Sequence, residues 1–289
     1  MNILGIRRSP CFSPNSIDRD AAIFSAVTSQ VERYGHEVSI IGEDLFIGVD
    51  LNDYDLVFSM ARSHRVLKDL ALAEKNENLL VINSAQKLLY ATRSHIVQSF
   101  NQHQIPQPQS FIFDLDTAKL SQIQDKLHFP FWIKRGKECA QEINDICFIN
   151  DEKDWNQSIH HFKAKNVHQL IAVQHIKGDL IKFYGVEGTS FFSYLYPTDG
   201  VGFSKFGLEC HNGSPHHYNF DTTLLETIAN KAAALIGFTI YGGDAIVKSD
   251  GTFYIIDFND WPSFFSCRKT AAKAIAQRIS KLNIHSHVR

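Results

Sequence analysis

The chain has 289 residues, is 44% hydrophobic and 21% charged, and carries a formal net charge of -2. That is enough apolar material for a large core or two or three small subdomains, and it gives no global field for nucleic acid, so only a local basic site stays open. The five cysteines, Cys11, Cys139, Cys147, Cys210 and Cys267, show no C-x-x-C spacing, which argues against a disulfide framework or zinc site and for a reducing cytoplasm.

In chain order, residues 2–6 (NILGI) predict a first strand, too short for the apolar segment of a signal peptide. No later run approaches the roughly 18–20 apolar residues of a membrane span. A polar loop with two prolines follows over 7–16. Ser16 is placed to cap a helix over 17–34 that Gly35 ends. Strands are expected at 37–41, 55–58 and 79–82, with a helix over 65–75 before the last. Strands alternating with helices imply a parallel sheet, so residues 1–83 read as a small doubly wound α/β unit. Ligands of such units sit at the carboxyl ends of strands, which here carry Arg7, Arg8, residues 59–62 and Asn83.

Residues 85–103 predict one helix. Ile105-Pro106-Gln107-Pro108 must be extended, since each proline disfavours helix in the residue before it, so 84–108 reads as connecting helix and linker. A second unit over 109–176 holds strands near 110–113, 131–134, 146–149 and 170–176, helices near 117–128 and 151–164, and a polar loop over 135–145. A third unit over 177–289 holds strands at 181–187 and 190–196, then an irregular Gly- and His-rich stretch over 201–219. A helix over 221–236 stopped by Gly237, strands at 239–248 and 252–258, and a last helix over 267–282 complete it. Trp132, Trp155 and the aromatic run Phe191, Phe192, Tyr194 read as core, and His211, His216 and His217 as solvated.

Ser249-Asp250-Gly251-Thr252 joins the last two strands. Asp-Gly is a preferred two-residue hairpin turn. With Ser249 opposite Thr252, counting outward puts Asp244 opposite Asp257, with Asn259 two residues on and on the same face. A turn one residue longer would put the two aspartates on opposite faces. Opposed like charges destabilise a sheet, so a cation is expected between them, and removing one carboxylate is expected to stabilise the metal-free chain. Oxygen donors of this kind suit a hard ion such as Mg²⁺, which commonly shares its shell with substrate phosphates. Lys134, at the end of an apolar strand, and Lys182, in Gly178-Asp179-Leu180-Ile181-Lys182, are cations placed to reach a phosphate. Asp260 has no role in this pattern, because strand alternation turns it away from Asn259.

Four stretches in this order, VINSAQKLLYATRSHIVQSFNQHQIPQPQSF, FPFWIKRG, LIAVQHIKGDLIKFYGV and GGDAIVKSDGTFYIIDFNDWPSF, together resemble the ATP-grasp superfamily over roughly residues 80–280. The resemblance implies three α/β subdomains, with 1–83 as the first and ATP clasped between the second and third. It implies that Asp244, Asp257 and Asn259 hold Mg²⁺ and that Lys134 contacts ATP phosphates. Gln174, His175 and Ile176 would form the hinge beside adenine, Asp179 would bind ribose, and Lys182 would approach the phosphate or the reacting group. Arg93 stands where many members have a phosphate-binding lysine. Asp257-Phe258-Asn259 stands where many have Glu-x-Asn, and the loop from Gly136 to Glu142 is poor in glycine where many have a flexible glycine-rich loop.

Most of the superfamily are carboxylate–amine ligases, in which ATP phosphorylates a carboxylate and an amine attacks the acyl phosphate. Ribosomal-protein glutamate ligases and glutathione synthetases resemble this chain in length and order. Inositol trisphosphate kinases share Asp-x-Asn followed by an aromatic-Pro-Ser-aromatic stretch like DFNDWPSF, and a stretch like KGDLIKFYGVEG. A small-molecule kinase is therefore the second reading, and a nucleotide-binding module without catalysis the third. The acceptor site discriminates. A polyphosphate acceptor needs a dense cationic pocket, for which Arg7, Arg8, Arg62, His64, Arg65 and Arg268 are candidates; the same arginines could hold a substrate carboxylate bidentately. Arg268, at a helix start just after the hairpin, is read with Lys182 as catalytic. The expected partner is a small-molecule or peptide acceptor, with no nucleic acid and no membrane, and the oligomeric state is open.

Overall fold

Three four-stranded sheets carry the chain, and a computed structural model describes residues 1–76, 79–137, 142–197, 199 and 207–282 of it. The first sheet uses β1 (Asn2–Arg7), β2 (Glu37–Gly42), β3 (Leu56–Ser59) and β4 (Leu80–Ile82), with α1 (Ile17–Arg33) and α2 (His64–Asn76) as crossovers. Its order is β2-β1-β3-β4 and every pair is parallel, as alternating strands and helices imply. Residues Ile3 to Ile6 and all of β3 are buried, which is why these strands read as continuous apolar runs.

Glu43, directly after β2, is only 1% exposed. Its carboxylate accepts the backbone N–H of Ser9 and, at 2.8 Å each, those of Arg62 and Ser63. One side chain thus ties together the loops after β1 and β3 and satisfies donors at the start of α2. Glu43→Ala is expected to cost about 3 kcal/mol by removing the acceptor of one buried and two half-buried backbone donors, and Glu43→Gln clearly less, since one acceptor oxygen remains. Denaturant unfolding checks this; a loss below about 1 kcal/mol in the alanine variant would contradict it.

The single helix expected over 85–103 is two, α3 (Ala85–Leu88) and α4 (Arg93–Gln102). Thr92 is extended, and its hydroxyl caps α4 by accepting the His95 N–H at 3.2 Å. The break makes Arg93 the first residue of α4 rather than a mid-helix side chain. It also lets the Ser94 N–H donate to the Gly136 carbonyl at 2.8 Å.

The second sheet contains β5 (Ser110–Asp114), β6 (Phe131–Arg135), β7 (Ile146–Ile149) and β8 (Gln169–Gln174), all antiparallel, in the order β5-β8-β6-β7. Helices α5 (Leu120–Gln124) and α6 (Glu152–Ala164) accompany it. Helix α5 is shorter than the sequence pattern implies, because Ala118 is extended and separates it from a tight turn at Leu115–Thr117. Asp151 caps α6, accepting the Asp154 N–H at 2.9 Å.

The third sheet contains β9 (Asp179–Val186), β10 (Phe192–Leu195), β11 (Ile240–Val247) and β12 (Phe253–Asp260), antiparallel, in the order β10-β9-β11-β12. Helix α7 (Thr222–Ile236) ends at Gly237 in the left-handed conformation, and α8 (Arg268–Lys281) closes the described chain. Helix α8, which chain order assigns to the third unit, packs on α1. Ile23, Phe24 and Val27 share one core with Trp261, Ile275 and Ile279. The Asn83 side chain exchanges two hydrogen bonds of 2.7 Å with the Ile240 backbone, joining the end of β4 to the start of β11. No helix among the described residues is long and apolar enough to cross a membrane.

Candidate active site

The hairpin between β11 and β12 is built differently from its sequence pattern. The Lys248 N–H donates to the Thr252 carbonyl at 2.8 Å and the Gly251 N–H to the Lys248 carbonyl at 3.0 Å. The loop is therefore three residues, 249–251, with Gly251 at φ 81 as its left-handed member, and the two-residue turn does not form. Asp250 braces the longer loop, accepting from the Thr252 N–H at 3.0 Å and from the Thr252 hydroxyl at 2.6 Å. Alone, that extra residue would send Asp244 and Asp257 to opposite faces. A bulge cancels it: Ala245 pairs with Ile255 while Asp244 pairs with Asp257, so Ile256 is skipped in the ladder. The Ile256 carbonyl instead accepts the Lys134 ammonium at 3.1 Å. Gly243 is required beside it, because a Cβ there would collide with the Asp257 carbonyl oxygen and the Phe183 ring.

Both aspartates line a cavity of about 790 Å³ that also reaches the loops of the first unit. Each carboxylate has its own cation. Lys182, opposite Asp244 in the β9–β11 register, donates to it at 3.2 Å. Arg93 lies 3.7 Å from Asp257 and donates to the Arg135 carbonyl at 3.0 Å. Burial would raise the Asp257 carboxyl, but Arg93 and Lys134 outweigh it and hold it below the ordinary range. Burial pushes the Asp244 carboxyl above that range, with Lys182 only partly offsetting it. Burial would also lower the Lys182 ammonium, but Asp244 and Glu209 hold it above its usual value. The Lys134 ammonium is lowered by burial, with Asp257 pulling the other way. The two opposed carboxylates are thus pushed apart in proton affinity by their surroundings. Asn259 donates its amide N–H to Asp257 at 3.1 Å, which aligns three oxygen-bearing side chains along one strand pair.

Gln174, the last residue of β8, and His175 and Ile176 directly after it line the same cavity. So do Arg8 and Arg62. Arg8 pairs with Asp20 at 3.0 Å and donates to the Met60 carbonyl at 3.1 Å. Arg62 pairs with Asp260, which is 2% exposed, so the aspartate without a role in the sequence pattern has a partner. Four expected site residues, Arg7, Arg65, Asp179 and Arg268, do not line the cavity, and Arg65 instead donates to the Phe46 carbonyl at 2.8 Å. Arg7 is exposed at the end of β1. Asp179 is 2% exposed and accepts the N–H groups of His216 and Tyr218 at 2.7 and 2.9 Å, so its carboxylate is occupied within the protein. Arg268 begins α8, with its Nε buried and without a hydrogen-bond partner among the described residues.

Other residues reach the cavity that sequence reasoning passed over. Trp132, read as core, lines it half-buried, and its indole N–H donates to His175 Nδ1 at 3.2 Å. The tight turn Leu208–Asn212 also contributes. Its Glu209 lies 3.4 Å from Lys182, and its Asn212 donates to the Ile176 and Gly178 carbonyls at 3.1 and 3.3 Å. His211, read as solvated, is exposed, with its ring centroid 4.2 Å from that of Phe148. Residues 138–141 of the glycine-poor loop and 201–206 of the irregular stretch lie outside the described residues. Glu142, Asp145 and His161 bring ligand atoms within 4.8 Å of one another. Arg135 at 2.7 Å from Asp145 and Lys165 at 2.8 Å from Glu142 neutralise these carboxylates, and the group is an ion-pair network.

No family model matches the chain, and no curated protein matches it. Solved structures do. A D-alanine–D-alanine ligase from Bacillus anthracis is 11% identical with a TM-score of 0.67, over 97% of this chain and 99% of that one. The same enzyme complexed with ATP is 12% identical with a TM-score of 0.66, over 97% and 99%. A RimK domain ATP-grasp protein from Sphaerobacter thermophilus is 14% identical with a TM-score of 0.66, over 96% and 98%. At these identities the likeness is one of fold.

Proposed function

We propose, from the premise that this chain has the ATP-grasp fold, that it is an ATP-dependent carboxylate–amine ligase that uses Mg²⁺. One observation carries this reading: Asp244 and Asp257 oppose each other in a cavity that also holds Arg93, Lys134 and Lys182. Two carboxylates and an amide oxygen from Asn259 form a hard donor set that fits Mg²⁺. Asp244, Asp257 and Asn259 would hold the ion, which would supply positive charge against the charge that develops in phosphoryl transfer. Arg93, at the start of α4, adds its guanidinium to the positive end of that helix. Lys134 and Lys182 flank the carboxylates and would bind phosphate oxygens as point charges. In the reaction, a substrate carboxylate oxygen bonds to the γ-phosphorus and ADP leaves. An amine then attacks the acyl carbon and inorganic phosphate leaves. The chain's part is position and charge neutralisation.

The acceptor end supports a ligase over a kinase acting on a polyphosphate. Arg8 and Arg62 are paired with Asp20 and Asp260, so charge there is balanced rather than densely positive. Balanced pairs suit an acceptor that carries both an acid and an amine. The cysteine pattern supports the cytoplasm as its setting. An ADP-release screen over amino acids, peptides and inositol phosphates tests the reading. Mg²⁺-dependent release is expected when a carboxylate and an amine are supplied together. Release with a polyol phosphate alone would select the kinase, and no release with any acceptor would favour a binding module.

A further inference from the structure

Helix α4 starts beside the ends of two strands of the second sheet, and hydrogen bonds join the three. The Gly136 N–H donates to the Gln169 carbonyl at 2.9 Å, and the Ser94 N–H donates to the Gly136 carbonyl at 2.8 Å. The Ser94 hydroxyl donates to Gln169 Oε1 at 2.7 Å. Arg93 Nη1 donates to the Arg135 carbonyl at 3.0 Å. Gln169 opens β8 and Gly136 directly follows β6, so both strands take part. The approach is close: a Cβ on Gly136 would lie 2.6 Å from Ser94 Oγ and 3.0 Å from the Gln169 side chain. Ser94 is 7% exposed, so its hydroxyl has little water to turn to once its acceptor is lost.

Arg93 is the residue that this junction roots. Its guanidinium crosses from the second unit to β12, where it lies 3.7 Å from Asp257 with its side chain 13% exposed. A long, flexible side chain loses rotamer freedom on reaching such a place, and a fixed backbone at its start leaves less to order. The chain before α4 supplies little of that support, since Thr92 is extended and Tyr90 is 72% exposed. The far end of α4 is held separately, where Phe100 packs edge-on against Phe258 with ring centroids 5.6 Å apart. The first turn takes its place from Ser94 and Gln169, neither of which lines the cavity.

We propose that Ser94 and Gln169 are positioning residues: together they clasp the first turn of α4 to β8 and aim the Arg93 guanidinium at Asp257 and at the phosphate it would bind. This rests on the nucleotide reading given above, and it adds to that reading two residues that touch no substrate. In a site that works by position, a shift of about 1 Å at the root of Arg93 is enough to cost tenfold or more.

Calorimetric titration with Mg²⁺ and the non-hydrolysable ATP analogue AMP-PNP tests it as a double-mutant cycle. Ser94→Ala and Gln169→Leu open the clasp, and Gln169→Glu keeps its acceptor. Each is made in the parent and in Arg93→Gln, with titration into the millimolar range so that weak binding stays readable. In the parent, Ser94→Ala and Gln169→Leu are each expected to weaken binding about tenfold, and Gln169→Glu less than about threefold. In Arg93→Gln the first two changes are expected to add less than about twofold, since the group they aim is gone. Residues that only supported the fold would lower affinity equally in both backgrounds, and that result overturns the inference. So does unchanged binding in the parent background. Ser94→Ala, which deletes a single oxygen atom, decides alone if Gln169→Leu does not fold. An Arg93→Gln protein that binds as tightly as the parent overturns this inference and leaves the nucleotide reading standing. A parent that does not bind AMP-PNP overturns the nucleotide reading, and this inference with it.

Discussion

Asp257→Ala is expected to lower Mg²⁺-dependent ATP turnover by at least about a thousandfold while the chain stays folded. Asp257 lies across the strand pair from Asp244, bonded to Asn259, and no other carboxylate lies directly across from Asp244 on β12. A single remaining aspartate gives a hard divalent ion too few anionic donors. ADP release with saturating ATP and Mg²⁺ measures the effect, and turnover within tenfold of the parent would sink the metal assignment. The effect on stability runs against the sequence expectation. Two opposed carboxylates suggest that removing one relieves repulsion. In the structure Asp257 is the counter-charge of Arg93 and Lys134, both largely buried. Its removal strands those cations, and a broken buried pair costs more than like-charge relief returns. Because Asp257 is 26% exposed, the loss is set at the low end, about 2 kcal/mol, rather than the larger value for a fully dry site. Asp244→Ala should lose less, since Glu209 still pairs with Lys182. Denaturant unfolding of both variants in EDTA checks the order, and a more stable Asp257→Ala protein would contradict it.

The hairpin illustrates what was legible in the sequence and what was not. The aspartate pair was found by counting outward from Asp-Gly, yet the count began from a turn that does not form. A three-residue loop and a one-residue bulge each shift the register by one, and the two shifts cancel. No residue type marks Ile256 as the extra residue, because a bulge is fixed by what binds the displaced carbonyl, here Lys134 from another sheet. Periodicity located the strands, since burial on one or both faces writes itself into side-chain choice. It failed for α3 and α4, where Thr92 as a cap looks like any polar residue within a helix. Asp179 and Glu209 show the same limit at the site. The family resemblance implies ribose binding by Asp179, yet its carboxylate is occupied by the backbone amides of His216 and Tyr218. Glu209 reaches the cavity only because Asn212 pins its turn to the hinge, a contact that has no periodic signature. Trp132 lies on the opposite face of β6 from the buried Phe131 and Ile133, the face that Lys134 shares, and the position of His175 shows that it borders a cavity.

Lys134→Met is expected to weaken binding of Mg²⁺–AMP-PNP by about thirtyfold to a hundredfold, the worth of one hydrogen bond to a charged group in a partly dry site. Methionine keeps most of the aliphatic stem, so the slot on β6 stays filled and the loss reports the ammonium. That ammonium is 8% exposed as a residue, donates to the Ile256 carbonyl and lies beside Asp257. It therefore has two functions that the variant removes together: positive charge for a phosphate, and a donor for the carbonyl freed by the bulge. The second function separates it from an ordinary phosphate-binding lysine. Without the donor, the bulge that keeps Asp257 opposite Asp244 loses a support, so turnover at saturating ATP should fall as well as affinity. Lys134→Arg should restore little, because a planar guanidinium does not fit a buried slot shaped for a point charge. Calorimetry gives the affinity and ADP release at saturation gives the turnover. An unchanged dissociation constant would remove Lys134 from the nucleotide site, and weakened affinity with full turnover at saturation would remove it from the support of the bulge.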